Sequence, residues 1–217
     1  MANDLRENKF GNLYSPNSLP LPIGRIVFLN LATPSQKYKK YGCTLLFKKD
    51  DKAALPLLKN LKADFEKLVK HKYGAKAPGL TSAPVGDGDS SPTSASNSNP
   101  IGETYKEFKG CYYVRLGSPT PIRVVDANNK DLEASKLTAG MLCDGVAQCM
   151  LFDKGCSWKG LCIRLVKDDG QRIYTGPDPV SQLTKLSAEF ATPATDDVLT
   201  SSEDALEDND KKLIDSL

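Results

Sequence analysis

Alternating apolar and polar residues predict two strands in the first part of the chain. The first is Gly24–Leu31, which is rich in Ile, Val and Phe. The second is Tyr38–Lys48, where Tyr41 and the apolar residues after it fall on every second position. Both patterns are typical of strands. The polar stretch 1–22 before them contains three prolines and is interpreted as an irregular N-terminal arm.

A helix follows the second strand. Apolar residues recur at steps of three and four, which predicts an amphipathic helix. It should begin after Asp50–Asp51 and end near Lys72–Gly74, because acidic residues favour the start of a helix and basic residues its end. The residues of the apolar stripe are Leu55, Leu58, Leu61, Phe65 and Leu68.

Residues 81–102 are rich in Ser, Pro, Gly and Asn and contain no aromatic residue. Such a segment has too little apolar surface to order itself, so a flexible loop inside the domain is predicted. Beyond it the strand patterns return, and a turn at Lys154–Gly160 carries Trp158. The predicted strands are Gly110–Gly117, Thr120–Ala127, Met141–Asp153, Leu161–Lys167 and Gln171–Tyr174.

Many short strands with a single helix predict a mostly β fold, with a partly open five-stranded barrel as the leading architecture. We expect one domain over residues 23–190, which contains the loop, and a disordered tail over 191–217.

The formal net charge of +2 hides an uneven distribution. Residues 196–217 hold eight acidic residues and two lysines, so the remaining 195 residues carry a net charge of +8. A basic body with an acidic tail is compatible with nucleic-acid binding, whereas a uniformly neutral protein is not.

Catalytic and metal-binding patterns are scarce. The sequence lacks a phosphate-binding glycine loop, a dinucleotide fingerprint and a nucleophile elbow, and its single histidine is His71. The six cysteines form no Cys-x-x-Cys pair, which favours reduced, buried thiols over a zinc site. No apolar run reaches the ~20 residues that cross a bilayer, and no signal peptide is evident. We therefore expect an intracellular protein that is not an enzyme, has no cofactor and does not associate with membranes.

Aromatic and cationic residues alternate along several strands. Cations that follow phosphates and rings that accept unstacked bases are what a surface for single-stranded nucleic acid needs. The segment QKYKKY at 36–41, a Tyr113 that shares a strand face with Arg115, and Trp158 between two lysines provide both. Tyr41 is more simply a core residue, since it shares its face with apolar neighbours. The candidate DNA-binding residues are Lys37, Tyr38, Lys39, Lys40, Tyr113, Arg115, Arg123, Lys154, Trp158, Lys159 and Arg164.

Taken in order, five blocks from about residue 24 to residue 185 resemble the bacteriophage single-stranded DNA-binding proteins that have one oligonucleotide/oligosaccharide-binding (OB) fold and an acidic tail. The blocks are YKKYGCTLLFKKDD, LVKHKYGAKAP, VGDGD, GCYYVRLGSPTPIRVVDANNKDL and LTAGMLCDGVAQCMLFDKGCSWKGLCIRLVKDDGQRI. None of them is a catalytic signature.

The resemblance implies an OB-fold-like barrel that coats single-stranded DNA, independently of sequence, during phage replication, recombination and repair in the cytoplasm of the infected bacterium. It also implies that the tail regulates binding and recruits replication proteins such as the polymerase. A second copy of the chain is a further candidate partner. The tail ends in leucine where some relatives end in an aromatic residue. The tail residues assigned to these roles are Glu203, Asp204, Glu207, Asp208, Asp210, Asp215 and Leu217.

Two other interpretations stay open at this point. One is an RNA-binding or protein-interaction β-barrel with no DNA-coating role, because a preference for the 2′-hydroxyl group leaves no mark on a sequence. The other is an enzyme that uses cysteine or metal chemistry.

Overall fold

The computed structural model describes residues 5–8, 11–74, 83–90, 99–153 and 155–174. Lys154 and the acidic tail lie outside the described residues. The described helices are α1 (Ala54–Tyr73), α2 (Ile101–Thr104) and two 3₁₀ turns, Lys106–Phe108 and Ala134–Lys136. The described strands are β1 (Arg6–Glu7), β2 (Leu13–Asn30), β3 (Tyr41–Lys48), β4 (Gly86–Asp87), β5 (Cys111–Ser118), β6 (Arg123–Val125), β7 (Leu142–Phe152) and β8 (Gly155–Lys167).

Five of these strands pair into a closed ring. β2 pairs with β3, β3 with β5, β8 with β7 and β7 with β2, all antiparallel. The ring closes through a short parallel contact between β5 and β8, where Leu116 lies opposite Trp158 and Gly117 opposite Lys159. The predicted mostly β, OB-like fold with five principal strands and one main helix is confirmed.

Alternate residues of the ring strands point inward and form the core, which includes Ile26, Leu45, Val114 and Ile163, each with no exposed surface. Four residues of the predicted apolar stripe of α1 (Leu58, Leu61, Phe65 and Leu68) pack on the same core, chiefly against β2. Leu55 does not belong to this core, and Ala54 is buried there instead. Among the described residues, no helix combines the length and the apolar character needed to span a membrane.

The helix has the predicted limits. The Asp51 carboxylate accepts hydrogen bonds from the backbone N–H groups of Ala53 and Ala54, at 2.9 and 3.2 Å, and so satisfies donors that the first turn leaves free. Gly74, with a φ of 63°, ends the helix and donates its N–H to Lys70. Glycine adopts this left-handed conformation without the steric cost of a Cβ.

The predicted N-terminal arm is wrong over residues 13–22. These residues form the first half of β2, an 18-residue strand that pairs with β7. Pro16 and Pro22 lie within shifts of the β2–β7 register, where the ladder is interrupted and a missing N–H group costs least. The three prolines thus explain why an irregular arm was predicted where the chain forms a strand.

The predicted flexible loop also needs correction at both ends. Residues 83–90 contain β4, which pairs with β5, and Ile101–Thr104 is helical. The backbone N–H of Gly102 donates to the Gly88 carbonyl at 2.8 Å and joins the two ends. Tertiary hydrogen bonds thus order residues whose composition indicated disorder.

Other strand limits differ from the prediction. Residues 36–40 form a turn before β3, only Arg123–Val125 of the stretch 120–127 is a strand, and residues 171–174 are not a strand. The β7–β8 hairpin is much tighter than expected, because Phe152 already pairs with Gly155. The predicted turn at 154–160 is thus mostly strand.

Candidate nucleic-acid interface

An open surface lies on the outside of the ring where β3, β5 and β8 meet. Arg115 and Gly117 of β5 alternate with the buried Val114 and Leu116 and therefore face outward. Gly117 lies opposite Gly42 of β3 and Lys159 of β8. Since neighbouring strands are about 4.8 Å apart, these three backbones lie across about 10 Å. A Cβ atom at Gly117 would meet nothing within 4 Å, so this surface is open to a ligand.

The loop before β3 brings the segment KYKK to the same edge. Ser35 closes the loop, donating its N–H to Lys40 at 2.9 Å and accepting the N–H of Lys39 at 2.8 Å. Tyr38 is 66% exposed, and Lys37 Nζ lies 5.2 Å from the centroid of its ring. We call this combined surface the cationic strip. Its residues are Lys37, Tyr38, Lys39, Lys40, Arg115, Gly117 and Lys159.

The five cations of the strip differ electrostatically from the other predicted cations. Within the described residues, none of the five takes part in an ion pair. Arg123 Nε, by contrast, lies 2.7 Å from Asp131 Oδ1, and Arg164 Nε lies 3.0 Å from Asp144 Oδ1. These carboxylates neutralise Arg123 and Arg164. Within the described part of the chain, the predicted DNA-binding cations therefore fall into a group without ion pairs on the strip and a paired group along β6 and β8.

Tyr113 is less accessible than predicted. Its ring is half-buried and contacts Phe108 edge-on, with the centroids 5.2 Å apart. An ideal Cβ at Gly86 would lie 2.1 Å from Tyr113 Cζ, so the backbone of β4 lies directly against the ring. Arg115 Cζ is 5.1 Å from the ring centroid. Tyr113 thus supports Arg115 and is not a free platform for a base.

The predicted exposure of Trp158 is wrong. Because the hairpin turn is short, Trp158 lies within β8 and faces into the ring, with only 2% of its surface exposed. Its indole Nε1 donates to the Pro84 carbonyl at 2.6 Å, which satisfies the buried N–H group. Trp158 is a core residue and does not stack on a ligand.

The remaining predicted site residues lie outside the described part of the chain. They are Lys154, Glu203, Asp204, Glu207, Asp208, Asp210, Asp215 and Leu217.

An aromatic cluster beside the strip was not predicted. Phe28 and Tyr105 are half-buried and meet edge-on with ring centroids 5.0 Å apart, above the buried Phe108. The cluster covers Val27, which lies opposite Thr44, and Thr44 is opposite Arg115. It therefore borders the strip across β3.

Phe28 also has a φ of 50°, at a register shift in β2. For a bulky aromatic residue this conformation is strained, and such strain is frequent at functional sites. No sequence pattern marks Phe28, whereas the spacing of Tyr105 and Phe108 ahead of β5 is a weak signal of a short turn with an apolar face.

The cysteines are free thiols, four of them buried. Burial raises the pKa of Cys43 and Cys149 far above the ordinary value and that of Cys143 to about 12. Among the described residues, no group of three or more His, Cys, Asp or Glu side chains is arranged to hold a metal ion.

No protein-family model and no curated protein matches this sequence. Among solved structures, the chain is similar to the single-stranded DNA-binding protein of bacteriophage Enc34, with a TM-score of 0.58 and 19% identity over 83% of this chain and 99% of that one. The chain shares the fold of this bacteriophage single-stranded DNA-binding protein. The Enc34 protein in complex with ssDNA matches with a TM-score of 0.56 and 19% identity, over 76% of this chain and 95% of that one. The single-stranded DNA-binding protein gp2.5 of bacteriophage T7 matches with a TM-score of 0.51 and 13% identity, over 85% and 99% of the two chains.

Proposed function

We propose that this chain binds single-stranded DNA independently of sequence, along the cationic strip. The observation that carries the proposal is the concentration of five cations, which have no ion-pair partner among the described residues, and an exposed tyrosine beside an open glycine surface, on the outside of the five-stranded ring. Two solved relatives with this fold are single-stranded DNA-binding proteins, and one of them was solved with ssDNA.

Each part of the strip has a role in this proposal. Lys37, Lys39 and Lys40 on the loop and Arg115 and Lys159 on the strands bind successive phosphates. Tyr38 stacks on a base, and the exposed edges of the aromatic cluster extend the stacking surface, since stacking accepts any base. The absence of a side chain at Gly117 lets the DNA strand lie close to the β-sheet. Sequence independence follows, because phosphates and ring faces are common to all nucleotides.

The biological setting is also part of the proposal. We infer that the protein coats single-stranded DNA during phage replication, recombination and repair in the host cytoplasm, and that it acts by binding and not by catalysis. The tail, with a net charge of −6, binds the cationic strip when DNA is absent, so DNA must compete with the tail for this surface. When DNA displaces the tail, it becomes free to recruit replication proteins such as the polymerase.

The direct test is fluorescence anisotropy of labelled oligo-dT and oligo-rU with the full chain at several salt concentrations. We expect saturable binding of dT that weakens as salt rises. Equal or tighter binding of rU would favour an RNA-binding protein, and no binding of either would leave the protein-interaction alternative.

The role of the tail is tested separately in the full chain. Replacing the six assigned tail acids with their amides should tighten DNA binding, because the competing negative charge is lost. Unchanged affinity would reject competition by the tail while leaving DNA binding intact. The acids are Glu203, Asp204, Glu207, Asp208, Asp210 and Asp215.

A further inference from the structure

Residues 84–89, which contain the segment VGDGD, form a strap that runs antiparallel alongside the start of β5, beside the cationic strip. Gly86 lies opposite Tyr113 in the short β4–β5 pairing, and the backbone N–H of Gly88 donates to the Cys111 carbonyl at 2.8 Å. At its other end, the Pro84 carbonyl accepts the indole N–H of Trp158. The strap is therefore anchored to both β5 and β8, the two strands that close the ring.

A charged clamp holds the strap in place. Lys49 Nζ lies 2.6 Å from Asp87 Oδ1 and 2.9 Å from Asp89 Oδ2. Asp89 Oδ1 also accepts the backbone N–H of Gly110 at 3.0 Å. Partial burial of Asp87 opposes ionisation, but the hydrogen bond from Lys49, the backbone N–H of Asp89 and the positive charge of Lys49 together outweigh it and lower the pKa of Asp87. The same lysine, with the Gly110 N–H, lowers the pKa of Asp89. Both carboxylates are therefore charged at neutral pH.

The strap is connected to the cationic strip through the aromatic side chain of Tyr113. Gly86 lies against Tyr113 so closely that any Cβ atom would collide with it. Tyr113 in turn lies beneath Arg115, whose Cζ is 5.1 Å from the ring centroid. The clamp, the strap, the tyrosine ring and the arginine form a continuous series of contacts. An arginine supported in this way loses less side-chain freedom when it binds a phosphate.

We propose that the strap is a positioning element, which holds Arg115 through Tyr113 in the orientation that binds DNA. The proposal rests on the proposed function, since it concerns how the cationic strip is organised. It assigns a role to the VGDGD segment, whose two acidic residues would otherwise only repel a phosphate chain next to the strip.

Removing the two negative charges of the clamp distinguishes positioning from simple electrostatics, because the two explanations predict opposite changes in DNA affinity. Asp87→Asn with Asp89→Asn opens the clamp and makes the protein more positive by two charges. Electrostatics alone predicts tighter DNA binding, whereas the strap proposal predicts binding about fivefold weaker than in the matched control. The control is Asp153→Asn with Asp168→Asn, which adds the same charge by breaking ion pairs with Lys72 and Arg172 away from the strap. Affinity for oligo-dT is measured by anisotropy well below each melting temperature.

If the clamp variant binds as tightly as the control or more tightly, the proposal is overturned. DNA binding by the parent chain would still stand in that case, so the two failures are distinguishable. Trp158 emission gives a second readout, because Trp158 is the single tryptophan and donates to the strap. Its emission should change in the clamp variant and stay constant in the control.

If the clamp variant fails to fold, a double-mutant cycle tests instead whether the strap affects DNA binding through Arg115. Gly86→Ala displaces the Tyr113 ring and should weaken DNA binding about fivefold in the parent chain but less than about twofold in Arg115→Gln, because the residue being positioned is absent there. Equal losses in both backgrounds would show that the strap acts on stability alone and would refute positioning.

Discussion

Replacing Arg115 with glutamine removes one unpaired cation from the centre of the cationic strip. Replacing Arg123 with glutamine removes the same charge from a side chain that is already paired with Asp131. Both arginines are exposed and lie on strands of the same sheet, so the two variants differ mainly in whether the cation is free. We expect Arg115→Gln to weaken binding of oligo-dT clearly and Arg123→Gln to weaken it little.

The magnitude follows from counterion release. Each phosphate neutralised on a single strand contributes about 0.7 to the slope of log K against log salt, so five strip cations set a slope of at most about −3.5. Arg115→Gln should reduce the slope by about 0.7 and the affinity at moderate salt by about threefold to fivefold. In Arg123→Gln the slope should stay within about 0.2 of the parent value.

The assay is fluorescence anisotropy of labelled oligo-dT at four or more salt concentrations, with parent and variants run side by side. Any contribution of the acidic tail to the slope cancels, because the tail is the same in all three proteins. Equal changes of slope in the two variants would refute the division of the cations into free and paired groups. A larger change of slope in Arg123→Gln would indicate that DNA binds on the β6 side of the strand ring.

Four further outcomes are expected. Trp158→Phe should lower the free energy of unfolding by about 2 kcal/mol in urea titrations, because it leaves the buried Pro84 carbonyl without its donor; a loss below about 0.5 kcal/mol would contradict that role. Gly117→Val should leave the melting temperature unchanged, since nothing lies within 4 Å of the new Cβ, yet weaken binding of oligo-dT by obstructing the strip. Unchanged affinity would show that the DNA does not bind over Gly117. The four buried cysteine thiols, Cys43, Cys143, Cys149 and Cys156, should react with a thiol reagent in native protein far more slowly than in guanidinium, because they are inaccessible and burial raises the pKa of Cys43, Cys143 and Cys149; rapid native labelling of these four would contradict their burial. The Arg25 hydrogen bond lowers the pKa of Asp169, so the stability this pair adds is complete above the unfolded pKa of about 3.9 and is lost as pH falls through the folded value; Asp169→Asn should thus be less stable than the parent at pH 6, with a gap that narrows at pH 3.

Much of the fold could be predicted because it is encoded in local periodicity. The three-and-four spacing of leucines defined α1 almost to the residue, and alternation defined β3 and β5. The first half of β2 was missed because its prolines indicate irregular structure, and only pairing with β7 shows that Pro16 and Pro22 lie where the ladder is interrupted. The ordered ends of the loop were missed for a similar reason, since their order comes from β5, Lys49 and Trp158.

The candidate site was predicted in part. The lysines and tyrosine of the loop, together with Arg115 and Lys159, lie on one surface as their mixture of charge and aromaticity indicated. Trp158 and Tyr113 are aromatic residues beside cations in the sequence, but the Trp158 side chain faces the core and the Tyr113 ring lies against the strap. Phe28 and Tyr105, 77 residues apart, meet only in the folded chain.

The sequence by itself determined the main helix, strands such as β3 and β5, and the separation of a basic body from an acidic tail, because these depend on neighbouring residues and on composition. Only the tertiary structure decided which rings are exposed and which cations are free. The indole of Trp158 is satisfied by a carbonyl 74 residues away, and Arg164 is neutralised by an aspartate 20 residues away. Exposure and charge depend on such distant partners, so they become defined only when the strands pair and the ring closes.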